Sequence, residues 1–278
     1  MFVVMAALLY STGGLLIKFI PWNALAINGG RTAIALFVIG GYLALTHHPL
    51  RLNKWILLGG FSVCGCNMLF ALANKLTTAA NAIVLQFTAP VFVILFSRLV
   101  FKRKATKLDI VAAAAVFGGI IFFFLDSLEM GGGLGNLLAL MAGVSYSWVF
   151  LMNEMPDSDS ISSVFWGDVL SAAIGLPFLL KETQFTESAV FSLVILGVFQ
   201  VGVAYICLCE GMKHTPPIPA SLISGIEPIL NPILVAAFYG EKMGPMALVG
   251  AGIVILSIVG YNILKIKLDR QNVPADLK

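Results

Sequence analysis

Apolar residues run along the chain in stretches of about twenty, each ended by a proline, an asparagine or a knot of charge. At 1.5 Å per helical residue, that length crosses a hydrocarbon layer roughly 30 Å thick. The pattern predicts ten spans, near 2–20, 24–45, 54–73, 77–98, 107–125, 133–152, 161–181, 188–209, 217–239 and 245–264. The boundary between the eighth and ninth, around 210–219, is the least sharply marked. The expected fold class is therefore an all-α integral membrane protein of ten transmembrane helices.

Composition excludes the soluble alternatives. Of 278 residues, 59% are hydrophobic and 11% charged, against about 25% charged in an ordinary soluble domain. A soluble enzyme domain and a nucleic-acid module are both ruled out on that ground, and the net charge of +3 is too dispersed to hold an acidic partner. The first twenty residues are apolar and lead to Lys18 without a basic leader or a small-residue cleavage pattern, so they read as a retained span. Basic residues fix the expected orientation, because Lys and Arg loops stay cytoplasmic. The loops after the even-numbered spans plus the C-terminal tail hold 12 Lys and Arg and the opposite loops hold 4, which places both termini in the cytoplasm. One loop dissents: 153–160 carries Glu154, Asp157 and Asp159 and no basic residue.

The second half overlays the first at a shift of 136 to 138 residues. Met5-Ala-Ala-Leu-Leu-Tyr10-Ser11 meets Met141-Ala-Gly-Val-Ser-Tyr146-Ser147, Gly30 meets Gly167, and Pro90 meets Pro228. Halves with an odd number of spans must be inverted relative to each other, so residues 1–130 and 131–278 are expected to form two inverted five-helix repeats. The motifs Ile226-Glu227-Pro228, Tyr239-Gly240-Glu241-Lys242 and the glycine-bearing span 248–261 resemble the second repeat of the EamA-type branch of the drug/metabolite transporter superfamily. The first half matches through Thr88-Ala89-Pro90 to Phe101-Lys102-Arg103 but lacks the acidic residue that the family often has near Arg103. The resemblance implies a bacterial inner-membrane transporter with a central cavity between repeats, exporting amino acids, related metabolites or organic compounds.

Glu227 is the leading site candidate. It lies ten residues into the ninth span, about 15 Å deep, where an ionised carboxylate costs at least roughly 2.5–3.5 kcal/mol unless it has a partner, a watery cavity or a proton. Ser224, Glu227 and Asn231 share one helical face, while their counterparts Gln86, Ala89 and Val93 make no such stripe. Glu227 is expected either to contact substrate or to carry a coupling proton, or else to bond a neighbouring helix and set packing. Pro90, Pro228 and Pro232 are expected to break helices, with Pro228 and Pro232 releasing the carbonyls of Ser224 and Pro228. Arg31 and Asp168 occupy matched positions with opposite charge, each about 10 Å inside its own face, too far apart in depth to pair directly. They read as gates or electrostatic guides, or, for Arg31, as a snorkelling anchor. Further cavity candidates are Tyr10, Asn67, Gln86, Gln200, Tyr146, Trp148 and Tyr205, with aromatic packing as the alternative for each ring. The glycine pairs 13–14, 29–30, 40–41, 59–60 and 118–119 are expected to let helices approach closely.

Enzyme chemistry has little to work with. The histidines are His47 and His48 in a loop and His214 at a helix end, and there is no Walker A loop, Gly-x-Gly-Asp motif or zinc signature. Cys64–Cys66 and Cys207–Cys209 are spaced two apart, pointing about 200° from each other on a helix, so they read as small packing residues rather than a disulfide or metal pair. The sequence thus calls for no metal and no cofactor. The partners it implies are a small-molecule substrate and the lipid bilayer, with a proton as one candidate coupling ion beside uniport and exchange. Channel and scaffold are the competing classes, and substrate identity, direction and assembly into a homo-oligomer stay open.

Overall fold

A computed structural model describes residues 1–17, 19–125, 128, 131–239 and 244–271. Lys18 and the Gly240-Glu241-Lys242 part of the family motif lie outside the described residues. The described chain is helical, with no strand among the described residues. It comprises α1 (Phe2–Tyr10), α2 (Gly13–Ile17), α3 (Ala24–Leu45), α4 (Lys54–Leu76), α5 (Ala79–Gln86), α6 (Ala89–Leu99) and α7 (Lys107–Phe124). After these come α8 (Gly133–Leu151), α9 (Ser160–Leu179), α10 (Glu187–Ile195), α11 (Ala204–Met212), α12 (Pro217–Ile223), α13 (Glu227–Tyr239) and α14 (Pro245–Gln271).

The polar punctuation of the sequence is mostly helix capping. Asn23 accepts from the Leu25 N–H, Asn53 from those of Trp55 and Ile56, Thr78 from Asn81, Asp159 from Ser162 and Thr186 from Ala189. Thr106 and Asp109 form a reciprocal capping box at the start of α7. Each cap covers N–H groups that a helix leaves unpaired in its first turn.

Among the described residues nine helical segments are long and apolar enough to cross a membrane: α3, α4, α5 with α6, α7, α8 with its last turn, α9, α10 to α11, α12 with α13, and α14. They coincide with nine of the ten expected spans to within a few residues. The tenth, at the front of the chain, is shorter, Phe2–Ile17. It is divided at Ser11 and Thr12, whose hydroxyls donate back to the carbonyls of Ala7 (2.6 Å) and Leu9 (2.7 Å). Such back-bonding satisfies carbonyls locally and permits the helix to end inside apolar surroundings.

Three other spans depart from regular α-helix. The fourth is interrupted at Phe87 and Thr88, with Pro90 in the first turn of α6. The ninth is interrupted by a 3-10 turn over Ser224–Ile226, with Pro228 second in α13. The eighth runs through a π-helical stretch, Leu196–Val203, between α10 and α11. Two expectations change here. The Ser224 carbonyl is not released, because the Glu227 N–H donates to it across the 3-10 turn. Pro232 lies inside α13 without ending it, since the bond it removes would have gone to Pro228, in the first turn, where the helix has barely formed.

Glycines set how closely the helices pack. At Gly29 of α3 a Cβ would sit 2.3 Å from the Gly175 carbonyl carbon of α9, and at Gly60 of α4 one would sit 3.1 Å from the Gly167 nitrogen. α3 and α4 therefore lie backbone to backbone against α9. Gly143 of α8 fits against the break in the fourth span, 2.8 Å from the Gln86 carbonyl oxygen to a Cβ built there. Gly41 and Gly118 meet nothing within 4 Å, and Gly40 only a phenyl edge at 4.0 Å. These glycines do not bring helices together, contrary to the expectation for the 40–41 pair, because that part of α3 turns them to the outside. The four cysteines are free and buried within α4 and α11.

The acidic loop 153–160 loses its anomaly in three dimensions. Arg103 pairs with Glu154 at 2.6 Å, His48 with Asp159 at 2.9 Å, and Asn53 donates to the Asp157 carbonyl at 2.8 Å. The loop thus packs against the loops after the second and fourth spans, on the same end of the bundle, with Arg103 the cation that offsets Glu154. At the other end Lys75 donates to Asn23, and the Asn23 N–H donates to Glu182.

The Gly29–Gly175 contact makes a stability prediction. Gly29→Val forces backbones apart and lowers the thermal midpoint in detergent, by the equivalent of about 2 kcal/mol or more. Gly41→Ala, in open space, leaves it unchanged or raises it slightly.

Candidate functional site

The departures from regular helix converge on a polar cluster in the middle of the bundle. Glu227 follows the 3-10 turn, near the midpoint of the 22-residue segment Pro217–Phe238. Tyr146 of α8 is a polar neighbour of both Glu227 and Ser224. Ser224 itself is buried and donates to the Ala220 carbonyl at 3.2 Å. Tyr10 of α1 packs edge-on to Tyr205 of α11, ring centroids 5.5 Å apart, and both tyrosines lie within electrostatic range of the cluster. Asn67 of α4 donates to the Tyr205 hydroxyl at 3.4 Å, and Gln86 of α5 to the Cys66 sulfur at 3.3 Å.

Arg31 enters the cluster from α3. Its Nε and Nη2 donate to the Asn28 side-chain oxygen at 3.1 and 2.8 Å, and its Nη1 to the Gln200 oxygen at 3.1 Å. Gln200 sits in the π-helical stretch, where the widened turn carries it toward α3 and α2. The two glycines that open α2 make room: a Cβ at Gly13 would lie 3.0 Å from Gln200, and one at Gly14 2.1 Å from the Asn231 oxygen. Arg31 and Glu227 are electrostatic neighbours but form no ion pair with each other among the described residues. Both are only partly covered, whereas Tyr10, Asn28, Gln86, Tyr146, Gln200, Tyr205 and Ser224 around them are buried. The two charges thus stand, partly covered, among buried polar side chains.

The cluster unites Tyr10, Arg31, Gln86, Tyr146, Gln200, Ser224, Glu227 and Asn231. Trp148 is not part of it. Its ring packs on Phe96 (5.1 Å) and Phe101 (6.5 Å) in an aromatic group near the end of the bundle. Asp168, wholly buried in α9, is an electrostatic neighbour of Arg31 and Tyr205 but makes no hydrogen bond to the cluster. With Gly29 level with Gly175 on antiparallel helices, Asp168 falls opposite about residue 36, roughly 7.5 Å along the axis from Arg31. No direct bond joins the two. Asn28 is the site residue that sequence reasoning missed, although its i, i+3 spacing before Arg31 was the available sign.

The profile of the EamA-like transporter family matches residues 1–125 and again 133–263. The chain belongs to that family. It is similar to an uncharacterized transporter of Clostridium kluyveri, 26% identical across 94% of this chain and 92% of that one. It is also similar to the uncharacterized transporter YwfM of Bacillus subtilis, 24% identical across 93% and 92%. A solved crystal structure overlays 95% of this chain and 96% of its own with a TM-score of 0.79 at 19% identity, a likeness of fold. This EamA-like protein is accordingly a multi-pass membrane transporter of a small molecule, and its polar cluster occupies the interior of the transporter fold.

Asn28 carries two of the three bonds that orient Arg31, each a hydrogen bond to a charged group worth about 1.5–3 kcal/mol. Asn28→Leu is expected to lower thermal stability by an amount of that order and to weaken substrate binding. Trp148→Leu, outside the cluster, is expected to affect stability without changing apparent substrate affinity.

Proposed function

We propose that this transporter exports amino acids or closely related small metabolites by alternating access. In this reading the halves 1–130 and 131–278 are inverted repeats that rock about the central cluster, in a bacterial inner membrane with both termini cytoplasmic. The observation that carries the proposal is the pair Arg31 and Glu227: opposite charges in one polar cluster, each beside polar neighbours and not paired with the other.

Two charges in low dielectric attract strongly, and keeping them apart leaves a socket for a ligand with a cation at one end and an anion at the other. An amino acid has that form. Its ammonium group would meet Glu227 and Tyr146, and its carboxylate would meet the N–H groups of Arg31 left over after Asn28 and Gln200 are bonded. Tyr10 adds a buried hydroxyl with no hydrogen-bond partner among the described residues, a donor available to the ligand. Matched breaks at Pro90 and Pro228, and the double match to one family profile, support the two-repeat motion.

The test is flux through purified protein in liposomes, with radiolabelled amino acids set against their amides and against deaminated analogues. Saturable flux that needs both the ammonium and the carboxylate is expected. Arg31→Gln and Glu227→Gln should each raise KM at least about tenfold, the loss of one charged hydrogen bond. Equal transport of the amide and deaminated analogues, or no amino-acid flux, would reject the reading.

A further inference from the structure

Asp168 has no part in the pocket just described, yet it is the most completely enclosed ionisable group among the described residues. It is 0% exposed, near the middle of α9, and neither carboxyl oxygen has a hydrogen-bond partner. α3, α4 and α11 all pack against α9. The titratable or charged groups they turn toward Asp168 are the Arg31 guanidinium, the Cys64 thiol and the Tyr205 phenol. None bonds to it: Arg31 is committed to Asn28 and Gln200, and Tyr205 accepts from Asn67. At the preceding residue, Gly167, α9 is pressed against Gly60 and Val63 of α4, where a Cβ would sit 2.7 Å from that of Val63. An ionised carboxylate cannot persist in such a place without donors. A hard metal cation takes about six oxygen ligands, and a guanidinium, a thiol and a phenol do not supply them. The cation that this carboxyl can take is a proton.

We propose that Asp168 is a proton-binding site of the transport cycle, separate from the Glu227 pocket, neutral in this conformation and ionised when the α3–α4–α9 interface opens to water. On opening, the proton passes to water and leaves a carboxylate. Arg31, about 7.5 Å away along the axis, is the nearest charge of opposite sign and has a side chain long enough to swing toward it. That swing strips Arg31 from Asn28 and Gln200. Release of the proton from Asp168 thereby weakens the anion end of the substrate pocket, which links proton movement to substrate movement. Acid pH favours the arrangement seen here and alkaline pH the opened one. The proposal rests on the reading of Arg31 as a substrate ligand, but its first test does not.

Infrared spectroscopy of the purified protein in lipid nanodiscs detects the carbonyl stretch of a neutral carboxyl. At neutral pH a band from Asp168 is expected in the wild type and in Glu227→Gln and is expected to vanish in Asp168→Asn, or in Asp168→Ser if the first variant does not fold. A spectrum unaltered by loss of Asp168 overturns the proposal. The second test uses liposomes and a mixture of radiolabelled L-amino acids. Asp168→Asn, fixed in the neutral form, should still exchange amino acids at equal pH but lose the extra accumulation that a pH gradient drives in the wild type. Retention of the gradient response also overturns it. If no variant and not the wild type moves amino acids, the substrate reading fails, and the infrared result alone decides Asp168.

Discussion

The hydrocarbon interior offers no water to a peptide group, so every backbone N–H and C=O must be paired inside the protein. The rest of this structure follows from that constraint. It makes each apolar stretch a helix, requires a polar cap at the places where helices start, and forbids a break that faces lipid. The interruptions at Ser11–Thr12, Phe87–Thr88 and Ser224–Ile226, and the π-helical stretch at Leu196–Val203 apart from Phe199, are accordingly buried or half-buried in the bundle. The first three are repaired on the spot, by the hydroxyls of Ser11 and Thr12, by the Thr88 hydroxyl donating to the Leu85 carbonyl at 2.6 Å, and by the Glu227 N–H closing a tight turn. Interruptions need protein around them, and polar side chains need the same shelter, which is why the two coincide in the central cluster.

Close packing then decides how the cluster can move. Gly29 against Gly175 and Gly60 against Gly167 put α3, α4 and α9 in backbone contact, with Val63 and Trp166 packed beside the second pair. Arg31 and Asp168 sit on these same helices, so any shift between α3 and α9 changes the distance between the cation and the carboxyl. Packing and electrostatics share one joint.

Most of the fold was legible because the period and length of apolar runs report directly on the solvent. Nine spans fell where the stretches placed them, and the asparagines, threonines and aspartate that ended the stretches proved to be caps. The first span was less legible, since the Ser11 and Thr12 hydroxyls replace backbone bonds without altering hydropathy. The site was legible in part. Glu227, Ser224, Tyr146, Arg31, Gln200 and Tyr10 were named from depth and polarity alone, and they meet. Trp148 was named on the same grounds and packs elsewhere, because depth does not reveal which way a helix face turns. Asn28 was passed over because a neutral amide in an apolar run carries no visible penalty until its partner, Arg31, is placed beside it. The Gly40–Gly41 pair failed for a related reason: small residues permit contact but do not specify which helix arrives.

The two halves that match one family profile carry the same break at Pro90 and Pro228 but not the same chemistry beyond it. The ninth span follows its proline break with Glu227 and Asn231, and the fourth offers Ala89 and Val93 at those places. At the other matched pair, Arg31 in one half faces Asp168 in the other with the sign of charge reversed. A scaffold with equivalent halves can rock between equivalent states, but identical charges in both halves would repel at the centre and bind only a symmetric ligand. Under the proposed amino-acid reading, keeping the backbone devices in both halves while giving Glu227 to one and Arg31 to the other is what would let the two ends of a substrate be told apart.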